Sequence, residues 1–270
     1  MKISLIVSTY NSKDSLELVL LSALRQTLVP MEIIVADDGS MDGTDFLVSE
    51  IQQQTLADVI HCWQEDKGFR AARSRNLAIA ASTGDYLVFV DGDIILERHF
   101  LEDHRRAAKI GQFVQGGRVI MTAEKSRLAI TNKTLDFHCW EFGLENRKNC
   151  LRSLFLSPLF SKRINRLTGI RTCNFALWRN DAMMVNGFNE NFIGWGREDS
   201  EFAARLLHSG IDRKNLRFQA IGYHLFHPLL ERNSLANNDA ILHNTIKKKL
   251  RRCPNGVDQH NTKTKPLHCS

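Results

Sequence analysis

Tyr86-Leu87-Val88-Phe89-Val90-Asp91-Gly92-Asp93 decides how this chain folds. Five consecutive apolar residues suit a strand buried on both faces, as in a parallel sheet. The run then ends abruptly on two carboxylates flanking a glycine. An acid–glycine–acid triplet is by itself compatible with a plain turn. At the end of a buried strand, however, two carboxylates held close together call for a neutralising cation. Mg2+ and Mn2+ prefer oxygen ligands and bridge carboxylates to phosphates.

Upstream, the same pattern occurs twice more. Ile3–Ser8 is a short apolar run that ends at Thr9-Tyr10-Asn11, and Glu32–Ala36 ends at Asp37-Asp38-Gly39-Ser40. Leu16, Leu20, Ala23 and Leu24 recur at helical spacing after a Ser12 cap. Residues 44–54 read as a second helix, Val59–Trp63 as a third strand, and Phe69–Ser82 as a third helix before Gly84. Alternating strands and helices predict an α/β fold with a mostly parallel sheet covered on both faces. Ligands bind such sheets beyond the carboxyl ends of the strands. Three polar clusters arrive at that edge.

The remaining clusters lie on helices and on a later strand. Asp66–Asn76 opens the third helix; Arg70, Arg73 and Asn76 are spaced three apart and suit a diphosphate near a helix N-terminus. The alternative is a solvated basic face. Gly194-Trp195-Gly196-Arg197-Glu198-Asp199-Ser200-Glu201 puts three acids on the first turn of a helix over 197–209, beside a tryptophan between glycines. A flat indole suits stacking on a sugar ring, and a neighbouring carboxylate suits removal of a hydroxyl proton. An acidic helix cap with a core tryptophan is the bland reading. A strand over 216–223 leads to His224-Leu225-Phe226-His227, where an imidazole is available to a cation. Residues 123–168 give no clear periodicity and are expected to be helices and loops on the acceptor side.

Composition sets outer bounds. The 270 residues are 43% apolar and 24% charged, as in ordinary globular proteins. No apolar run reaches the ~18–20 residues that span a bilayer. The N-terminal apolar stretch is too short for a secretory leader and lacks a small-residue cleavage pattern. The six cysteines are scattered, with no C-x-x-C pair, so reduced thiols and a cytoplasmic location are expected. Residues 243–270 hold seven Lys/Arg and one acid, which accounts for the whole net charge of +6. Residues 236–270 are therefore read as a basic tail. It is suited to the anionic cytoplasmic face of an inner membrane, or simply solvated. Nucleic acid is not expected, because no aromatic interleaving accompanies the charge.

Together, these clusters resemble the family 2 inverting glycosyltransferases of the GT-A fold. The C-terminal part, Asn186-Gly187-Phe188-Asn189-Glu190 and Gly194–Asp199, is similar to that of β-1,4-galactosyltransferases and bacterial chondroitin polymerases. The resemblance covers residues 1–121 and 170–228. It implies one domain over 1–235, with a nucleotide-sugar half (1–121) and an acceptor half (122–235). It also implies a UDP-sugar donor and a glycan or glycolipid acceptor, as in lipopolysaccharide or capsule synthesis. Thr9, Tyr10, Asn11, Asp38, Arg70, Asn76, Asp91, Gly92 and Trp195 would bind the nucleotide sugar. Asp93 with His224 or His227 would hold Mn2+ or Mg2+. Asp199 would be the base, with Glu198 on sugar hydroxyls. Arg197 departs from the glycine found there in galactosyltransferases. Two competitors are a sugar nucleotidyltransferase, which usually carries a glycine-rich loop where Ser8–Ser12 stands, and a non-catalytic carbohydrate- or membrane-binding protein.

Overall fold

A computed structural model describes residues 1–228 and 234–260. The first half follows the expected alternation: β1 (Ile3–Thr9), α1 (Lys13–Leu24), β2 (Glu32–Asp37), α2 (Thr44–Gln54), β3 (Asp58–Trp63), α3 (Ala71–Ala81) and β4 (Tyr86–Asp91). After it come β5 (Ile94–Leu96), α4 (Phe100–Ala107), β6 (Gln112–Gln115), β7 (Val119–Met121), α5 (Ala123–Thr131), β8 (Leu144–Glu145), α6 (Leu156–Phe160) and β9 (Lys162–Arg163). The chain then continues through β10 (Asn174–Trp178), α7 (Arg179–Met184), α8 (Glu198–His208), β11 (Asp212–Asn215), β12 (Gly222–His224) and α9 (Leu235–Lys248).

The main sheet runs β3-β2-β1-β4-β10-β6-β11-β9. The strands β3, β2, β1 and β4 are parallel neighbours, and β10 enters antiparallel against β4. Their apolar runs are buried on both faces. Leu5, Val7, Ile33, Val88 and Val90 pack on the side of α1 and α2; Ile6, Ile34, Leu87 and Phe89 pack on the side of α3 and α8. A smaller sheet, β5-β12-β7-β8, covers a third cluster around Ile95, Val119, Met121 and Tyr223. It brings β12 antiparallel to β5, with His224 opposite Ile94, one residue beyond Asp93.

Three expectations change. Residues 216–223 are not one strand: Phe218 and Ala220 take left-handed φ of 59° and 49°, which breaks an extended run between β11 and β12. Ser12 does occupy the N-cap of α1, but its side chain makes no capping bond. The segment expected as a basic tail is, up to residue 260, built into the body. There Asn238 donates to Gly196 O at 3.0 Å, Thr245 Oγ1 donates to Glu201 at 3.0 Å, and Cys253 and Val257 are buried. Residues 261–270 lie outside the described residues. Among the described residues Cys139, Cys150, Cys173 and Cys253 are free thiols.

Candidate active site

The strand ends meet because their register is tied together. Ser8 pairs with Asp91 and Thr9 with Asp37 across the parallel ladders. Asp38 N donates to Thr9 O at 3.0 Å, and Gly92 N donates to Ser8 O at 2.7 Å. A Cβ on Gly92 would stand 2.9 Å from Ser8 O, so only glycine lets the β4 turn lie this close to β1. Thr9 Oγ1 is buried beside it without a hydrogen-bond partner.

Asp38 is the buried acid expected at the nucleoside end. It accepts from Arg70 N at 2.7 Å and from Gln64 Nε2. Burial raises its pKa, and the two donors only partly oppose this. It is the backbone of Arg70, not its guanidinium, that meets Asp38; the guanidinium turns to Glu65 O. Tyr10 stands at the exposed mouth and donates to Asp66 at 2.9 Å, while Asn11 Oδ1 accepts from Met41 N at 2.8 Å. Asp37 is occupied structurally by Gly39 N, Ser40 N and His61 Nε2.

Asn76 does not join this group. Its amide donates to Phe188 O and Glu190, both at 2.8 Å, and its oxygen accepts from Phe188 N at 2.8 Å. The helical spacing that grouped it with Arg70 and Arg73 is real, but Asn76 is turned toward the turn after α7. Arg73 is held by Gln64 at 2.6 Å.

Beyond β4 the carboxylates fall into two adjoining clusters. In the first, Arg75 lies nearly buried among three acids. Its Nη1 is 3.3 Å from Glu198 Oε1 and 3.3 Å from Asp199 Oδ1; its Nη2 is 3.4 Å from Asp91 Oδ1; its Nε donates to Ser8 Oγ at 3.1 Å. Thr172 completes the hold on Asp199 through its N–H at 3.0 Å and its hydroxyl at 2.8 Å. Burial, then the charge of Asp199, pushes Glu198 up to about 7. Burial also raises Asp91 against the opposing pull of Arg75.

In the second cluster, Asp93 Oδ2 faces His227 Nε2 at 3.4 Å and His224 Nε2 at 3.5 Å. The three side chains offer one ligand atom each within 4.8 Å of one another. Asp93 Oδ1 is buried with no hydrogen-bond partner. Burial and the neighbouring Asp91 push Asp93 up to about 8, and burial, aided by the charge of Arg118, pushes His224 down to about 3. A neutral imidazole and a carboxylate short of positive charge fit a divalent cation. Both histidines reach the same oxygen, so the geometry does not single out one of them.

Arg75 and Arg118 are the residues that sequence reading missed. Arg75 stood inside the Asp66–Asn76 segment but is separated by 124 positions from Asp199. The available signal was a run of three acids at 198–201 with no nearby cation to balance them. Arg118 follows β6, and its charge acts on Asp91, Asp93 and His224. Trp195 sits partly exposed in the loop before α8, a loop tied to the segment before α3 by Gly194 N donating to Phe69 O at 2.9 Å. Arg197 takes a left-handed φ of 78°, where glycine is costless, and its guanidinium pairs with Asp239 at 2.5 Å.

The chain belongs to glycosyl transferase family 2, whose model matches residues 4–182. A second model, described as the N-terminal domain of galactosyltransferase, matches residues 158–228. The validoxylamine A glucosyltransferase of Streptomyces hygroscopicus subsp. limoneus is 28% identical over 228 residues, covering 77% of this chain and 48% of that protein. The chondroitin synthase of Escherichia coli is 24% identical over 240 residues, covering 82% of this chain and 34% of that protein. The chain thus spans about half or less of these relatives. The structure of S. aureus TarS 1–349 in complex with UDP-GlcNAc superposes with a TM-score of 0.62 at 17% identity, over 85% of this chain and 60% of that one. The fold is that of the GT-A transferases, and the chain is a glycosyltransferase.

Proposed function

We propose that this chain transfers a hexose or N-acetylhexosamine from a UDP-sugar to a glycan hydroxyl with inversion, in surface polysaccharide assembly such as lipopolysaccharide or capsule. The observation carrying this reading is that Asp91 and Asp93, two residues apart, belong to two different clusters. Asp93 faces two imidazoles, and Asp91 shares Arg75 with Glu198 and Asp199. A place for a cation and a place for a proton acceptor therefore adjoin at one strand end.

Asp93, His224 and His227 would hold Mn2+ or Mg2+, which supplies charge stabilisation to the departing diphosphate when bound. Asp38 and Thr9 take the nucleoside end, with Tyr10 at its mouth. Asp199, fixed by Thr172 and Arg75, accepts the acceptor hydroxyl's proton as that oxygen attacks the anomeric carbon. Glu198 contacts sugar hydroxyls, and Trp195 offers a ring face to the sugar. A single displacement inverts configuration.

The deciding experiment is a panel of UDP-sugars assayed for UDP release with Mn2+, with and without EDTA, and with simple glycan acceptors. Metal-dependent UDP release from one sugar donor supports the reading. Release of pyrophosphate from a nucleoside triphosphate would point to a nucleotidyltransferase, and silence across the panel to a binding protein.

A further inference from the structure

From residue 146 to residue 180 the chain contains no Asp or Glu, while 147, 148, 152, 162, 163, 166, 171 and 179 are Lys or Arg. Within this stretch large apolar side chains face outward: Phe155 is 78% exposed, Leu159 62% and Phe160 52%. Arg152 and Arg163 are ion-paired, with Asp103 and Asp212. Lys148, Lys162 and Arg166 form no ion pair among the described residues. Lys148, Lys162 and Arg217 line a groove of about 350 Å³ with Phe160, Ile164 and Phe218, without an acid.

The segment is firmly mounted. Arg152 grips Asp103 at 2.7 and 2.8 Å, Ser153 N donates to Phe218 O at 2.9 Å, and Ser157 Oγ donates to Gln219 at 2.8 Å. At the far end Arg213 donates to Arg166 O and Thr168 O at 2.7 and 2.9 Å. Leu154, Phe155, Leu159 and Phe160 are left outward, as are Lys148, Lys162 and Arg166. A crest of Phe and Leu beside unpaired cations is what an interfacial lipid-binding segment presents.

We propose that the face formed by residues 148–166 docks on an anionic phospholipid bilayer, Phe155, Leu159 and Phe160 entering the headgroup region and Lys148, Lys162 and Arg166 meeting lipid phosphates. Charge complementarity selects this occupant. A two-fold contact with a second copy would set the same cations against themselves. The basic run at 247–252 is the poorer surface: its helix packs on α8, and Arg252 pairs with Asp258 at 2.9 Å. Six residues beyond the docking face along the chain, Thr172 holds Asp199. Vesicle binding is read without sugar transfer and so is independent of the proposed reaction.

The test is co-sedimentation of the full chain with phosphatidylcholine vesicles, with and without phosphatidylglycerol. Binding is expected only with phosphatidylglycerol and should weaken with salt. Phe155→Ser/Leu159→Ser and Lys148→Glu/Lys162→Glu should each weaken it at least ~10-fold, with far-UV circular dichroism unchanged. Lys247→Glu/Lys248→Glu should leave it intact. Equal binding by the first two variants, loss in the third alone, or no vesicle binding at all overturns the proposal. So does concentration-dependent dimerisation that Phe155→Ser abolishes in the absence of lipid binding.

Discussion

The Arg75 guanidinium reaches from α3 to Asp199 at 3.3 Å, so one cation ties the strand-end acid Asp91 to the proposed base. Removing it would leave three carboxylates facing one another in a buried space. Arg75→Met is therefore expected to cost roughly 3–5 kcal/mol of stability, as when one partner of a buried pair is deleted. Arg75→Lys keeps a charge but not the fork that serves Asp91 and Asp199 together. It should stay folded and lose transfer at least ~100-fold through misplacement of the base. Denaturant unfolding and a transfer assay on both variants check this; wild-type turnover in Arg75→Lys removes the positioning role.

Asp199 itself should separate binding from chemistry. Asp199→Asn preserves an acceptor for Thr172 Oγ1 but cannot take a proton at neutral pH. Transfer should fall by ~100-fold or more, the usual worth of a general base. UDP binding by calorimetry should stay at the wild-type level. Full transfer by this variant would return the search to Glu198.

Asp93 tests the proposed cation site. Burial and Asp91 push its pKa up to about 8, so without added positive charge it tends to hold a proton at neutral pH. A divalent cation would supply that charge. Mn2+ should raise the melting temperature of the wild-type protein and strengthen UDP binding, and EDTA should reverse both. In Asp93→Ala the Mn2+ shift should vanish and UDP affinity in Mn2+ should drop at least ~10-fold. An undiminished Mn2+ shift in that variant would show that the cation sits elsewhere.

Glu198 makes a prediction about pH. Its folded pKa, about 7, lies above its ordinary value of 4.5, with burial the leading cause. Between those values the folded chain keeps a proton that the unfolded chain releases. Glu198 therefore lowers stability progressively as pH rises from 4.5 to 7, and by a constant amount above that. Glu198→Gln lacks this titration. Its stability relative to wild type should climb through that window and then level off, which melting curves from pH 4 to 8 would follow. A pH-independent difference contradicts the shift.

The first half of the fold was legible because β1 to β4 are buried on both faces and so read as uninterrupted apolar runs ending in polar residues. The second half was not, for two physical reasons. Its strands are only two to five residues long, too short for periodicity to register, as with Lys162–Arg163. And the turn that aims His224 at Asp93 depends on left-handed backbone at Phe218 and Ala220, residue types that give no such signal. That Asp93, His224 and His227 come together was legible in outline, since Asp93 lies just past the end of β4, and His224 ends β12 with His227 three residues on. Arg75 was not, because its partners are assembled only when α8 packs against α3.

Asn76 shows the limit of helical spacing as a guide, and its substitution tells the two readings apart. A diphosphate ligand would, on removal, weaken donor binding with little effect on folding. The structure instead gives Asn76 three bonds, two buried ones to the backbone of Phe188 and one to Glu190, that fasten α3 to the turn before α8. Asn76→Ala strands the N–H and C=O of Phe188 without partners, at about 1–3 kcal/mol for each unsatisfied group. Chemical denaturation should show a loss in the range of ~2–4 kcal/mol, while UDP affinity at a temperature where the variant is folded stays at the wild-type value. Weakened UDP binding without loss of stability would restore Asn76 to the donor site.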